Sequence, residues 1–261
     1  MVGENASNQL TICLGLFITD NGDICISDMN NHRVMKWQPG SIEGIVVAGG
    51  NGAGSSNDQL SHPLGIYVDK DENVYVADSS NHRIQKWIPG SKSGITVAGG
   101  YLEGSNLNPL YIPYGIILDN CNRMFISNPP ANTIIRWDLN ASSGTLIIGG
   151  YGGGNESDQL FGPTTIQLDT MGNMYVADSY NRRLLKFSIS ETISSSATEV
   201  STFDGESDAV RNNQAPEYSG PKSHYSSSAI YEEIPFQTYN PLFPAGKGTF
   251  PGVTSLFGSK T

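Results

Sequence analysis

Three histidines, each with an aspartate nearby, are the side chains of this sequence best suited to acid–base chemistry or metal binding. They are His32, His62 and His82, with Asp28, Asp58 and Asp78. Imidazole and carboxylate groups bind zinc, and a histidine can activate a nucleophile when a third group orients it. Either chemistry requires several such groups at one point in space, so the elements that position them decide the matter.

The spacing of these histidines does not favour a shared site. His32 and His82 occupy equivalent positions of an internal repeat, and the other copies carry Asn132 and Arg182 there. Equivalent positions of a repeat lie one structural unit apart, so we expect each histidine to pack or hydrogen-bond within its own loop. The sequence therefore predicts no catalytic residue, no metal site and no cofactor.

The repeat has a period of 50 residues. The segment VYVADSSNHRIQKW at 74–87 returns as CISDMNNHRVMKW at 25–37 and as MYVADSYNRRLLKF at 174–187. Tryptophan recurs at Trp37, Trp87 and Trp137, and Phe187 occupies the next such position. Periods of this length are typical of propellers and other repeat folds.

Each repeat unit predicts a small antiparallel β-sheet. The second copy contains four short runs, rich in β-branched and aromatic residues and punctuated by Gly, Pro, Asn and Asp: GIYVD (65–69), NVYVAD (73–78), HRIQKW (82–87) and GITVAGG (94–100). Such runs favour strands, and links such as TDNGD favour hairpin turns. Four-stranded units too small to bury their own faces stack around an axis, so we predict an all-β fold, a β-propeller of about four blades.

The string VYVADSSNHRI, preceded by PLGIYVD, resembles the NHL repeat. The resemblance covers residues 14–188 and is weakest in the third copy, where NPPANTIIRW lacks the NHR core. It implies an NHL-type propeller, and propellers of this family usually have six blades. A closed four-blade ring, an open arc and an incomplete six-bladed propeller all remain open, and an incomplete ring would allow the chain to oligomerise.

The repeat fades after Phe187. The segment SATEVSTF at 196–203 is compatible with an edge strand of the fourth blade. From residue 204 onwards the composition shifts to Ser, Pro, Gly and Tyr, which is typical of disorder. We therefore predict an NHL-type propeller at 1–203 and a largely disordered tail at 204–261.

An aspartate and an arginine recur together in three of the four copies. The pairs are Asp28 with Arg33, Asp78 with Arg83, and Asp178 with Arg183. The third copy has Asn128 and Thr133 instead, so both charges are absent together. This pattern predicts structural ion pairs that tie the end of the second strand to the start of the third.

Antiparallel connectivity places the second-to-third loops and the connectors between blades on one side of the predicted propeller. Loops on a rigid scaffold usually carry binding, so we hypothesise a non-catalytic scaffold that presents them to a protein or peptide partner. The candidate contact residues are Asn31, His32, His62, Asn81, His82, Tyr180, Asn181 and Arg182. The alternative is a propeller enzyme of the lyase or hydrolase type with a metal in the central channel, and RNA binding is a third, weaker hypothesis.

Composition narrows the partners further. The chain has 25 acidic and 15 basic residues and a net charge of -10, so nucleic-acid binding is not expected, because it needs a basic surface. Three cysteines without a CxxC pair favour neither a disulfide framework nor a zinc site. No apolar run is long enough to span a membrane and no signal peptide is recognisable, so no membrane insertion is predicted. No compartment is indicated.

Overall fold

The copies of the repeat fold into four sheets, each containing four antiparallel strands in sequence order. The computed structural model describes residues 6–100, 110–156, 158–188 and 231–234. Blade 1 contains β1 (Cys13–Ile18), β2 (Ile24–Asp28), β3 (Arg33–Trp37) and β4 (Ile45–Gly49). Blade 2 contains β5 (Pro63–Val68), β6 (Val74–Asp78), β7 (Arg83–Trp87) and β8 (Ile95–Gly99).

Blades 3 and 4 have the same layout. Blade 3 contains β9 (Ile116–Leu118), β10 (Met124–Asn128), β11 (Thr133–Trp137) and β12 (Thr145–Gly149). Blade 4 contains β13 (Pro163–Leu168), β14 (Asn173–Asp178), β15 (Arg183–Ser188) and β16 (Tyr231–Ile234). The prediction of an all-β propeller arrangement with four blades is confirmed.

The fourth strand of blade 4 comes from the segment that we predicted as a tail. Strand β16 pairs antiparallel with β15 and takes the place that we considered for residues 196–203, which lie outside the described residues. A long connection can make this pairing because loop-closure entropy grows only slowly with loop length. The rest of the predicted tail also lies outside the described residues.

A short 3-10 helix joins the second and third strands of every blade. These helices span Met29–Asn31, Ser79–Asn81, Pro129–Ala131 and Ser179–Asn181. The residue that follows each helix has left-handed backbone angles, with φ between 52° and 56° at His32, His82, Asn132 and Arg182. None of the described helices is long and apolar enough to cross a membrane.

Consecutive blades pack face to face, and we distinguish the two faces of a blade. The leading face points to the preceding blade and includes Ile66, Val68 and Val74 in blade 2. The trailing face points to the following blade and includes Cys25 and Val34 in blade 1. Three apolar clusters fill the junctions of blades 1 and 2, 2 and 3, and 3 and 4. Within the described ranges no such cluster joins blade 4 to blade 1. Leu16 and Ile18 on the leading face of blade 1 are 63% and 60% exposed, so the described blades form an arc.

Strand register places the predicted charge pairs opposite each other. In blade 2 the pairing of β6 with β7 runs from Val74 opposite Trp87 to Asp78 opposite Arg83. Blades 1 and 4 repeat this register, and blade 3 pairs Asn128 with Thr133. The polar pair therefore lies at the strand ends next to each 3-10 helix.

Candidate functional site: the loop face

One side of the propeller gathers the 3-10 segments and the connectors between blades. We call this surface the loop face, and its described residues are 29–32, 50–62, 79–82, 110–112, 129–132, 150–156, 158–162 and 179–182. The Asn81 side chain joins the two kinds of loop, because its Nδ2 donates a hydrogen bond to the Gly54 carbonyl oxygen at 2.8 Å.

Buried ion pairs lie beneath the loop face in three blades. Arg33 Nε lies 2.9 Å from Asp28 Oδ2, and Arg83 Nε lies 2.7 Å from Asp78 Oδ2. In blade 4 the Arg183 Nε to Asp178 Oδ2 distance is 2.8 Å. All three carboxylates are inaccessible to solvent, so the attraction within each pair is little screened.

The ion pair of blade 2 also fixes the connector before it. Arg83 donates from Nη1 to the Ser55 carbonyl at 2.8 Å and from Nη2 to the Ser56 carbonyl at 3.0 Å. Asp78 Oδ1 accepts a hydrogen bond from the Ser61 backbone N–H at 2.7 Å. The two side chains therefore hold residues 55–61 in place, which is a structural role.

Blade 3 carries an uncharged version of this arrangement. Asn128 Oδ1 accepts a hydrogen bond from the Tyr111 backbone N–H at 3.2 Å, and Thr133 is buried where the other blades have arginine. The counterparts of 51–59 in this blade, residues 101–109, lie outside the described part of the chain. In blade 3 both members of the Asp–Arg pair are thus replaced together, by Asn128 and Thr133.

Two equivalent carboxylates have pKa values shifted in opposite directions. Burial raises the pKa of Asp78 and outweighs the hydrogen bonds from Asn81, Ser61 and Arg83 that oppose it. Burial also acts to raise the pKa of Asp28, but there the hydrogen bonds from Asn31 and others prevail and lower it. The difference agrees with their positions, because blade 2 is covered on both faces and blade 1 only on its trailing face.

The asparagines among the predicted contact residues belong to the same network. Each donates a hydrogen bond from Nδ2 to the aspartate Oδ2 of its own blade at 2.8 Å, and this holds for Asn31, Asn81 and Asn181. Their amides are therefore occupied in supporting the charge pairs.

The repeat histidines connect consecutive blades. His32 Nδ1 accepts a hydrogen bond from the His62 backbone N–H at 3.2 Å, and His82 Nδ1 accepts one from Ile112 N–H at 3.0 Å. In blade 3 the Asn132 Oδ1 accepts from Gly162 N–H at 2.9 Å. The expectation that each histidine bonds within its own loop is therefore wrong, because each side chain reaches the next blade.

The hydrogen bond from His62 N–H to His32 predicts that mild acid lowers the free energy of unfolding. The Nδ1 atom accepts a hydrogen bond only while the imidazole is neutral. Burial lowers the pKa of His32, the nearby His62 lowers it further, and Asp78 and Asp28 oppose the shift. The unfolded state consequently takes up a proton first, so the stabilising contribution is complete above about pH 6.5 and is lost as the pH falls below that value. Urea unfolding at several pH values between neutral and mildly acidic measures the loss.

Asparagine is the matched control for His32, since Asn132 makes the same bond in blade 3. His32→Asn is expected to keep most of the stability at neutral pH and to reduce the loss in acid. His32→Ala removes the bond and should cost about 0.5–1.5 kcal/mol of unfolding free energy. An acid-induced loss of the same size in wild type and His32→Asn would show that this imidazole is not responsible.

The remaining predicted contact residues lie at the surface. His62 is exposed, with its Nδ1 3.1 Å from Ser80 Oγ and its ring centroid 4.7 Å from that of His32. Tyr180 is 71% exposed, and Arg182 is exposed as well. His62 lies in the connector before blade 2, whereas Tyr180 and Arg182 both lie in blade 4, so the structure does not gather the eight predicted residues into one constellation.

Two exposed aromatic residues of the loop face escaped the sequence analysis. Tyr111 stacks on His82 with ring centroids 4.9 Å apart, and Phe161 lies 4.9 Å from Tyr180. Tyr111 lies directly before Ile112, whose N–H binds His82, and Phe161 lies directly before Gly162, whose N–H binds Asn132. The same position in blade 2 holds Ser61, which hid the pattern.

Blade 2 is also where a known repeat is recognised. Residues 60–87 match the family model of the NHL repeat. The matched segment runs from the connector through β5 and β6 to the end of β7. It thus includes the Asp78–Arg83 pair, which holds the connector at 55–61, and His82, which binds the Ile112 N–H of blade 3. No curated protein sequence matches the chain significantly.

Solved propeller structures resemble the four-bladed arc in fold. A gluconolactonase from Xanthomonas campestris is 14% identical over 71% of this chain and 61% of its own, with a TM-score of 0.53. An auxiliary nutrient binding protein from Bacteroides thetaiotaomicron is 14% identical over 67% and 47%, with a TM-score of 0.51. A streptogramin B lyase is 13% identical over 72% and 54%, with a TM-score of 0.47. The chain spans about half the length of these proteins, and at identities this low the gluconolactonase and the nutrient binding protein show the fold alone.

The described residues of the four blades bring no group of three or more His, Cys, Asp or Glu side chains into metal-binding proximity. Cys25 lies in the junction of blades 1 and 2, and burial is the main cause that raises the pKa of its thiol to about 11. Such a thiol carries no thiolate at neutral pH and is a packing residue.

Proposed function

We propose that the chain is a non-catalytic binding module whose loop face contacts a protein or peptide partner. One observation carries the proposal. The three repeat aspartates and the two repeat histidines, the side chains best placed for chemistry, are bound to arginine or to backbone, whereas large aromatic side chains remain exposed on this face. Exposed rings on a rigid scaffold provide contact area for a partner, and loops fixed by the ion pairs and hydrogen bonds present these rings in a defined arrangement.

The aromatic residues are well suited to anchoring a partner. Tyr111 is 50% exposed and rests on the His82 ring, whose Nδ1 is fixed by the next blade. Tyr180 is more exposed and is supported by Phe161. Tyrosine offers a large, amphipathic surface at a low cost in conformational entropy, which is why it is frequent among residues that dominate binding energy.

The alternative of a channel-metal enzyme receives less support from these residues. Catalysis would require a free acid, base or ligand cluster, and the three aspartates beneath the loop face, Asp28, Asp78 and Asp178, are buried and each paired with an arginine. RNA binding is disfavoured as well, because Arg33, Arg83 and Arg183 neutralise buried carboxylates. The loop face also carries the acidic residues Asp58, Glu156 and Asp158, which would repel phosphate.

Selection from a library of random peptides displayed on phage tests the proposal. Peptides enriched on the immobilised protein are expected to bind the triple variant Tyr111→Ala, Phe161→Ala, Tyr180→Ala at least about tenfold more weakly than wild type. Titration of synthetic copies of the enriched peptides by fluorescence anisotropy measures the ratio.

A second triple variant controls for the loss of apolar surface. Ile42→Ala, Ile88→Ala and Met171→Ala remove three exposed apolar side chains from the turns on the opposite side of the arc. This variant should bind the same peptides with unchanged affinity. Equal affinities of all three proteins, or a selection that enriches no peptide, would contradict a peptide-binding loop face.

A further inference from the structure

A cleft lies between blades 1 and 2, among the turns on the side opposite the loop face. Its volume is about 240 Å³, and an apolar cavity of about 150 Å³ is enough to hold benzene. The buried residues Cys25, Val74 and Trp87 belong to its lining, together with Lys36 and Glu72. The described lining includes no residue of the loop face, so the cleft is a separate site.

The cleft lies where the other blades carry an aromatic side chain. The position of Cys25 is held by Tyr75, Phe125 and Tyr175 in the three other copies of the repeat. Tyr75 is buried in the junction of blades 2 and 3, and Phe125 in that of blades 3 and 4. A thiol is much smaller than these rings, so the junction of blades 1 and 2 has one ring fewer at this position.

Blade 1 retains the cation that accompanies this ring in blade 2. Lys86 is paired with Tyr75 across the strands, and its Nζ lies 5.2 Å from the centroid of the Tyr75 ring. An ammonium group over the face of an aromatic ring is a favourable cation–π contact. In blade 1 the equivalent Lys36 is paired with Cys25 and lines the cleft. An aromatic ring bound in the cleft would therefore restore the contact.

A hydroxyl group lies where blade 4 binds the oxygen of its tyrosine. The Tyr175 hydroxyl donates a hydrogen bond to Asp169 Oδ2 at 3.3 Å, and the blade 1 residue equivalent to Asp169 is Thr19, which lines the cleft. Thr19 Oγ1 accepts a hydrogen bond from the Asp23 backbone N–H at 3.0 Å. A threonine hydroxyl has a second lone pair and a donor proton, so it can also bind a phenol oxygen.

The charges around the cleft favour a neutral ligand. Lys36 Nζ lies 3.0 Å from Asp23 Oδ2 and 3.1 Å from Glu72 Oε2, so two carboxylates surround one ammonium and would repel an anion. We propose that the cleft binds a small uncharged phenol, whose ring takes the place of the Tyr75 ring beside Lys36 and whose hydroxyl meets Thr19. The proposal does not depend on the function suggested for the loop face.

Titration with p-cresol, followed by NMR of the tryptophan indole N–H groups, tests the proposal. Trp87 lines the cleft, so its resonance should shift, whereas those of Trp37 and Trp137 should not. For so small a ligand the expected Kd is about 1 mM. Cyclohexanol has a hydroxyl and a similar size but no aromatic face, and should bind at least about threefold more weakly. A Trp87 resonance that stays in place at about 10 mM p-cresol would overturn the proposal.

Two substitutions of Cys25 distinguish a filled cleft from an open one. Cys25→Tyr supplies the ring covalently, so it should weaken p-cresol binding at least about tenfold without lowering the urea midpoint of unfolding. Cys25→Ala leaves the cleft open and should change the affinity by less than about twofold.

Three results would contradict the proposal. A lower urea midpoint of Cys25→Tyr would show that the cleft has no room for a ring, and equal p-cresol affinities of Cys25→Tyr and wild type would place the ligand elsewhere. A tyrosine side chain of a peptide shares the chemistry of a free phenol, and N-acetyltyrosinamide represents it in the same titration. Tighter binding of N-acetyltyrosinamide than of p-cresol would overturn the choice of a free small molecule.

Discussion

Replacing Arg83 with threonine is expected to lower the free energy of unfolding by about 3–5 kcal/mol, because the Asp78 carboxylate then stays buried without its countercharge. Asp78 is inaccessible to solvent, and its Oδ2 lies 2.7 Å from Arg83 Nε. The variant also loses the hydrogen bonds that hold the Ser55 and Ser56 carbonyls. Urea denaturation followed by tryptophan fluorescence measures the change.

The double variant Asp78→Asn, Arg83→Thr is the decisive comparison. It copies the Asn128 and Thr133 pair of blade 3, in which the asparagine Oδ1 still accepts a backbone N–H. We expect the double variant to lose less stability than the sum of the single variants, with a coupling energy of about 2 kcal/mol. Strictly additive effects would show that the two side chains do not act as a pair.

The charge pairs illustrate how much of the fold the sequence predicts. Four copies inside one chain reveal which residues change together, and the loss of Asp and Arg in the same copy indicated their contact. The period and the short β-branched runs likewise predicted the strands, because each strand pairs with its neighbour in sequence. Contacts within one blade recur in each copy of the repeat, so they can be recognised by comparing the four copies.

Contacts between blades are less visible in the sequence. The acceptor role of His32 depends on the position of His62 N–H in the next blade, and no local pattern states how two blades meet. Left-handed backbone at 32, 82, 132 and 182 was a usable signal, since Asn132 is a residue type that favours this conformation. Strand β16 had no signal of this kind, because residues 231–234 carry no trace of the repeat.

The difference between covered and uncovered blade faces depends on single residues. Thr165 stands where the three preceding blades have Gly15, Gly65 and Gly115, and Gln167 stands where they have an aromatic or aliphatic side chain. Both residues lie at the surface of blade 4. A side chain in place of glycine inside the arc would meet the backbone of the next blade. Glycine at this position is therefore a requirement of the junction and not of the strand, since the strand continues through Thr165 without it.

Replacing Gly65 with alanine is consequently expected to cost about 2–4 kcal/mol of unfolding free energy, as overpacking and as loss of a hydrogen bond. The Gly65 N–H donates to the Tyr114 carbonyl oxygen of blade 3 at 2.8 Å, and a Cβ at Gly65 would overlap that oxygen. The backbone at this junction cannot move aside without separating β5 from blade 3. Urea denaturation of Gly65→Ala measures the effect, and Thr165→Ala is its control because the exposed blade 4 position should change stability by less than about 0.5 kcal/mol. Equal effects of the two substitutions would mean that the inner strands do not set the spacing between blades.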